Sequence, residues 1–305
     1  MRNIVVGVKG TADSEPALDF ALEEALRRRL PLQAVHAYSL PQYGEIPPAL
    51  FPDRLREVRE AAQSTAEQAL HRAKERVPGG STAAARVTVV EADPVSALLS
   101  AADSAAMLVV GCRGANAFMR GVLGSVSAAC LHRSWAPVAV VPHRAEVLAD
   151  RWLRSRVVVA VDGSPASLTA MSWATSQARE WGSVLTPVVV SPSSGHAPPG
   201  LRPQVRDPKI DLAATIWRHV TDAGGADLEV HPRFLVGDAA DQILSILDPS
   251  DLLVMGSRGH SALASLLVGS TSTAVAEKAP CPVVVVRVGQ ARREIHQRSP
   301  HSSSV

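Results

Sequence analysis

Glycines and hydroxyl residues recur in the chain with one spacing, G-x2-G-x9-G-S, and each copy directly follows a short hydrophobic run. The residues are Gly111, Gly114, Gly124 and Ser125 in the first copy, and Gly256, Gly259, Gly269 and Ser270 in the second. Glycine lets the backbone approach phosphate oxygens and adopt positive φ, and free N–H groups at a helix N-terminus favour negative charge. Further hydroxyl groups follow where the next helix would begin, on Ser127, Thr271 and Ser272. The pattern predicts a cradle for an anion.

Two other phosphate-binding patterns do not fit this glycine spacing. It is neither G-x-x-x-x-G-K-[ST] nor G-x-G-x-x-G, and no glycine-rich loop follows the first strand, where a dinucleotide fold needs one. A cofactor of the NAD type is therefore not expected. The sequence around the glycines offers no nucleophile–base pair and no clear metal carboxylates, so efficient phosphoryl transfer is not expected, although slow ATP hydrolysis stays open.

The chain also repeats itself as a whole, and this repeat decides its organisation. Residues 3–11 are echoed by 156–164, residues 106–114 by 251–259, and residues 136–141 by 281–286. We therefore predict a first domain over 1–145, a linker over 146–155, a second domain over 156–288 and a disordered tail over 289–305.

Within each copy, strand-length aliphatic runs alternate with helical patterns. In the first copy the predicted strands are 3–8, 33–38, 86–91, 107–111 and 137–141. The longest helical pattern is 53–76, with 210–223 as its shorter counterpart, and Ser164-Pro165 is typical of a helix start. The alternation predicts an α/β fold of two tandem, doubly wound parallel sheets, Rossmann-like in kind. Ligands bind such sheets at the carboxyl ends of the strands, so we expect the site at the end of the first strand and in the loop after the fourth.

The composition excludes several other classes of protein. The chain has 305 residues, of which 46% are hydrophobic, enough for two domains with buried cores. A net charge of +2 gives no basis for nucleic-acid binding. No apolar run reaches the ~18–20 residues that cross a bilayer, and the start of the chain does not read as a signal peptide. The odd count of 3 cysteines argues against a disulfide framework, and the histidines show no metal-binding spacing, so we expect a cytoplasmic protein without metal ligands of its own.

Three motifs together resemble the universal stress protein family, in its ATP-binding branch. They are V-D-G-S at 161–164, the glycine pattern after the fourth strand, and C-P-V-V-V-V at 281–286. The resemblance covers nearly all of residues 1–288. It implies five-stranded parallel sheets with ATP, with or without Mg²⁺, or a related adenine nucleotide as ligand. It also implies a role in stress response and regulation rather than in catalysis.

The resemblance also implies which residues contact the nucleotide. In the second copy it places adenosine against Ala160, Val161 and Asp162, and the base against Val190. Ribose and phosphates would be held by Gly256, Gly259, Gly269, Ser270, Thr271 and Ser272. The matching residues of the first copy are Gly7, Val8, Lys9, Ala37, Gly111, Gly114, Gly124, Ser125, Val126 and Ser127.

Other functions and the assembly are also open to test. The chain could be a weak ATPase, an adenylyl-transfer enzyme, or a dimeric scaffold that binds no nucleotide.

The final strands, 137–141 and 282–286, are expected at the edge of sheets in the order 3-2-1-4-5, where unpaired backbone groups can pair with another strand. We expect these two strands to pair antiparallel, as the resemblance also implies, and we expect two chains to form a homodimer. A downstream protein partner is not identified.

One departure between the copies generates a prediction: Lys9 stands where the second copy has Asp162. A carboxylate accepts hydrogen bonds from ribose hydroxyls or the adenine amine, whereas an ammonium group only donates, unless it reaches a phosphate instead. The second domain should therefore bind adenine nucleotide roughly tenfold to a hundredfold more tightly. Calorimetry on the separated domains measures this, and equal affinities or a tighter first domain would contradict it.

Overall fold

The computed structural model describes residues 2–39, 52–112, 123–143, 156–191, 208–258 and 268–288. The chain divides into two compact units, Met1–Trp152 and Leu153–Val305. The predicted linker over 146–155 and the predicted tail over 289–305 lie outside the described residues.

The first unit alternates strands and helices as its sequence predicts. In chain order the elements are β1 (Ile4–Gly7), α1 (Glu15–Arg28), β2 (Leu32–Tyr38), α2 (Pro52–Arg76), β3 (Ala85–Glu91), α3 (Pro94–Ala102), β4 (Met107–Gly111), α4 (Ser125–Arg133) and β5 (Val138–Val141). A short 3-10 turn, Ala12–Ser14, precedes α1.

The second unit follows the same order with a shorter middle. Its elements are β6 (Arg156–Ala160), α5 (Pro165–Trp181), β7 (Val184–Ser191), α6 (Pro208–Asp222), β8 (Arg233–Val236), α7 (Ala239–Ser245), β9 (Leu252–Gly256), α8 (Ser270–Lys278) and β10 (Val283–Val286). The shortening falls on α6, which has 15 residues against 25 in α2, and on β8, which has 4 against 7 in β3.

Each unit has the same strand order. It is β3-β2-β1-β4-β5 in the first unit and β8-β7-β6-β9-β10 in the second, and the pairs within each unit are parallel. The chain moves outward from β1 to β2 and β3, then returns to the other side of β1 as β4. This confirms the predicted doubly wound fold and places a crevice at the carboxyl ends of β1 and β4.

The strands around the crevice are aliphatic because helices cover both faces of a parallel sheet. Ile4, Val5 and Val6 of β1 are fully buried, as are Val157, Val158 and Val159 of β6. A buried strand of this kind is a rigid support, so the residues that follow it are held in place.

The helix that follows the first strand begins differently in the two units. In α5 the N-cap is Ser164, whose hydroxyl oxygen accepts a hydrogen bond from the Ser167 N–H at 3.3 Å, as the Ser-Pro sequence predicts. In α1 Ser14 holds the N-cap position without a capping bond, and its hydroxyl donates to the Thr11 carbonyl at 2.8 Å. The 3-10 turn thus replaces the first α-helical turn of α1.

A buried ion pair anchors the start of β6. Asp251 is fully buried, and its carboxylate accepts hydrogen bonds from Nε and Nη2 of Arg156 at 2.9 and 2.6 Å. The hydrogen bond to Asp251 raises the pKa of Arg156.

We predict that Arg156→Met destabilises the protein by about 2–3 kcal/mol, since a buried carboxylate would lose its cation. Arg72→Met is the matched control. Its pair with Glu15 has side chains 42% and 30% exposed, so the loss should stay below about 1 kcal/mol. Urea unfolding of the full chain measures both changes, and equal losses would contradict the prediction.

Candidate functional site

A cavity of about 410 Å³ lies at the carboxyl ends of β1, β2 and β4 in the first unit. The predicted site residues that line it are Gly7, Val8, Lys9, Ala37, Gly111, Gly124, Ser125, Val126 and Ser127. Every predicted residue of the first copy that the structure describes is therefore in the cavity wall. Gly114, the remaining one, lies outside the described residues, as does Gly259 of the second copy.

Sequence reasoning missed several lining residues. These are Asp13, Ser14, Val35, His36, Pro94, Leu98 and Val110. The signal that could have found Asp13 and Pro94 is their position in the segments that connect β1 and β3 to the next helix, because the carboxyl ends of parallel strands meet at one edge of the sheet.

The N-terminus of α4 supplies backbone donors to the cavity. Its N-cap is Gly124, which has no side-chain capping bond, and the first three helical residues, Ser125–Ser127, line the cavity. The first N–H groups of a helix have no partner within the helix, and the helix dipole adds partial positive charge there. This wall therefore suits an anion.

The buried serine of each motif, Ser127 or Ser272, forms the same hydrogen bond in its own unit. The Ser127 hydroxyl donates to the Gly111 carbonyl, and the Ser272 hydroxyl donates to the Gly256 carbonyl at 2.9 Å. Each bond joins a helix start to the end of the fourth strand of its unit. Because the hydroxyl proton is used there, a ligand could meet these serines only through their oxygen lone pairs or backbone N–H groups. Ser125 and Ser270 are exposed.

The motif glycines do not need a left-handed backbone. The N-cap glycines, Gly124 and Gly269, have φ of −61° and −72°, and neither Gly111 nor Gly256 has positive φ. The expected use of positive φ is therefore wrong at these four positions. Positive φ occurs in the loop after the first strand, at Gly10 and Gly163.

Three titratable side chains of the first unit line the cavity, and two of them have described partners. His36 shares a hydrogen bond of 2.8 Å between its Nδ1 and the Val8 carbonyl. Since a carbonyl only accepts, Nδ1 carries the proton. Asp13 lies 3.5 Å from Nε2 of His143. The third side chain, Lys9, is exposed.

In the second unit, Asp162 is part of the turn that starts α5. Its Oδ1 accepts a hydrogen bond from the Ser164 N–H at 2.9 Å, and the Ser164 hydroxyl donates to the Arg258 carbonyl at 3.2 Å. Asp162 is itself exposed. The loop after β6 is thus tied to the chain that leaves β9.

The other predicted residues of the second unit stand where the sequence placed them. Ala160 ends β6, Val161 follows it, and Val190 lies near the end of β7. Gly269 is the N-cap of α8, again without a side-chain capping bond, and Ser270, Thr271 and Ser272 form the first turn of that helix.

The glycine that ends the fourth strand has different surroundings in the two units. A Cβ on Gly256 would lie 2.7 Å from the backbone carbon of Ala166 and 2.8 Å from the backbone nitrogen of Ser167. A Cβ on Gly111 would lie 3.4 Å from its nearest neighbour, the Asp13 carbonyl oxygen. The start of α5 thus packs directly on β9, whereas the 3-10 turn of the first unit leaves space beside β4.

Three further features of the described part of the chain concern metal ligands, thiols and membrane-spanning helices. Within it, no group of three or more His, Cys, Asp and Glu residues could hold a metal ion. All three cysteines are buried, and burial raises the pKa of the Cys130 thiol to about 12. Among the described helices, none is long and apolar enough to span a membrane.

Comparison with known proteins gives one consistent family. The Universal stress protein family profile matches residues 1–142 and 154–287. A universal stress protein of Mycolicibacterium smegmatis is 31% identical over 290 residues, covering 93% of this chain and 96% of that protein. One from Mycobacterium tuberculosis is 29% identical over 286 residues, with the same coverage. The crystal structure of a universal stress protein from Archaeoglobus fulgidus has a TM-score of 0.64 at 24% identity, covering 93% of this chain and 96% of that chain.

The different surroundings of Gly256 and Gly111 predict different losses of stability when one methyl group is added. Gly256→Ala should cost about 1–3 kcal/mol, because the backbone of α5 must move to admit a Cβ. Gly111→Ala, its matched control, should cost less than about 1 kcal/mol, because the nearest atom is at ordinary contact distance. Urea unfolding compares them, and an equal or larger loss for Gly111→Ala would show that the packing difference is not real.

Proposed function

The chain belongs to the universal stress protein family, and on that premise we propose that it binds adenine nucleotides, ATP first among them, as a regulatory protein of the stress response. The nucleotide would sit at the carboxyl ends of the first and fourth strands of each repeat. Binding would act by changing the shape or partner choice of the protein rather than by consuming the ligand.

The observation that carries the proposal is the cavity of the first unit. It has a volume of about 410 Å³, within the range of small-molecule sites, and it is closed on one side by the uncapped start of α4. Apolar walls such as Val35, Ala37 and Leu98 suit a base, and the free backbone donors of α4 suit a phosphate.

Gly269 supports a ligand role for the motif in the second unit. Its φ of −72° is open to any residue. Among the described residues, the atom nearest to a Cβ there would be the Ser257 carbonyl oxygen at 3.8 Å. Neither backbone conformation nor packing against the described residues demands glycine, and close approach of a ligand to the backbone would be a physical reason for it.

Slow ATP hydrolysis is the second candidate function. The observation that favours it is the Asp13 carboxylate, which lines the cavity and could orient a water molecule or the Mg²⁺ that accompanies ATP. Turnover by the purified protein, compared with that of Asp13→Asn, separates hydrolysis from binding alone.

Mass spectrometry of the denatured, freshly purified protein tests the main proposal. We expect an adenine nucleotide to be released. If none is released and calorimetry with added ATP gives no heat of binding, the proposal is wrong and the scaffold alternative is favoured.

Light scattering on the intact protein tests the homodimer that we propose alongside nucleotide binding.

Gly269→Val should remove binding at the second repeat while leaving the fold intact. The added side chain would occupy the space through which a phosphate reaches the start of α8, yet its Cβ has room among the described residues. Calorimetry on the full chain should then show a lower stoichiometry, with an unchanged circular dichroism spectrum. Full binding by a folded Gly269→Val protein would place the nucleotide elsewhere.

A further inference from the structure

The loop after the first strand carries Lys9 in the first repeat and Asp162 in the second. These two side chains have opposite charges and different surroundings. Asp162 accepts a hydrogen bond from the Ser164 N–H and so belongs to the turn that starts α5. Lys9, at the matching position, cannot accept such a bond. The first repeat instead closes its loop through the backbone, with the Ser14 N–H donating to the Thr11 carbonyl at 3.0 Å.

The loop after β1 therefore closes without a hydrogen bond from the Lys9 side chain. Lys9 is exposed, it lines the cavity, and no residue in the described part of the chain forms an ion pair or hydrogen bond with its ammonium group. The carboxylate in the same wall, Asp13, has Oδ1 at 3.5 Å from Nε2 of His143. The Lys9 charge is thus available to a ligand in the cavity.

Two positive features border this cavity from neighbouring strands. Lys9 follows β1, and the start of α4 follows β4, which pairs with β1 through Val6 and Val109. Both features line the same cavity of about 410 Å³, so one phosphate chain bound there could contact both. Cationic side chains and helix N-termini each favour phosphate oxygens, and hydrogen bonds to charged groups are the stronger ones.

We propose that Lys9 makes the first repeat selective for the phosphate charge of a nucleotide, so that its affinity rises from adenosine through AMP and ADP to ATP. Lys9 would be the specificity-determining residue. This inference rests on the proposed function and refines it. The expected advantage of the second repeat, which follows from Asp162, would shrink as phosphates are added.

The test is hydrogen–deuterium exchange with mass spectrometry on the full chain, titrated with adenosine, AMP, ADP and ATP. Peptides from α4 and α8 report the two repeats separately. In Lys9→Gln, the ATP concentration that half-protects α4 should rise roughly tenfold, while that for adenosine should change by less than about twofold. Lys9→Arg should keep the dependence on phosphate number. Lys74→Gln, which removes a charge from α2 outside the cavity wall, is the matched control and should behave like the native protein.

The outcomes separate this inference from the proposed function. If adenosine and ATP protect α4 equally in the native protein, or if Lys9→Gln weakens every ligand alike, nucleotide binding survives and the role of Lys9 is overturned. If no ligand protects α4 or α8 in the native protein, the proposed function and the inference both fail.

Discussion

The reversal of strand order beside the first strand is the constraint on which the candidate site depends. In the first unit β1 pairs with β4 as far as Val6, but with β2 as far as Gly7, and the Val8 N–H continues that ladder to the Val35 carbonyl. The second unit repeats this, with β6 paired to β9 as far as Val159 and to β7 as far as Ala160. The chain must leave neighbouring strands in opposite directions there, and the crevice follows from connectivity rather than from any one side chain.

The sequence predicts the fold well because a strand buried on both faces must be aliphatic along its whole length, which marks Ile4–Gly7 and Met107–Gly111 without ambiguity. The grouping of Gly7, Val8 and Gly111 in one cavity wall also follows, since the carboxyl ends of these strands have to meet, whereas their contact with a nucleotide stays a prediction. The physical reason for each glycine cannot be predicted from the sequence. Gly256 is fixed by the backbone of α5, a neighbour distant in sequence, and no local pattern reveals that contact. The bond of the Ser127 hydroxyl to β4 is hidden for the same reason.

The two repeats share one strand order and differ at the start of their first helix. Ser164 followed by Pro165 fixes an α-helical start in the second unit, and the Asp162 carboxylate completes that turn. Thr11 and Ala12 lack these features, and a 3-10 turn forms instead. A short local sequence thus sets how closely a helix packs on the fourth strand. It thereby decides whether a Cβ at the end of that strand would collide with the helix backbone or lie at ordinary contact distance.

The bonds around the fourth strand also bear on which substitutions the chain tolerates. The Gly124 N–H donates to the Cys112 carbonyl at 2.9 Å, and the Gly269 N–H donates to the Ser257 carbonyl at 2.8 Å. All four partners are main-chain atoms, and every residue except proline keeps its backbone N–H group. Side-chain replacement at these positions, other than by proline, therefore leaves both bonds available, so the chemistry beside each helix start can vary without a shift of the helix against its strand.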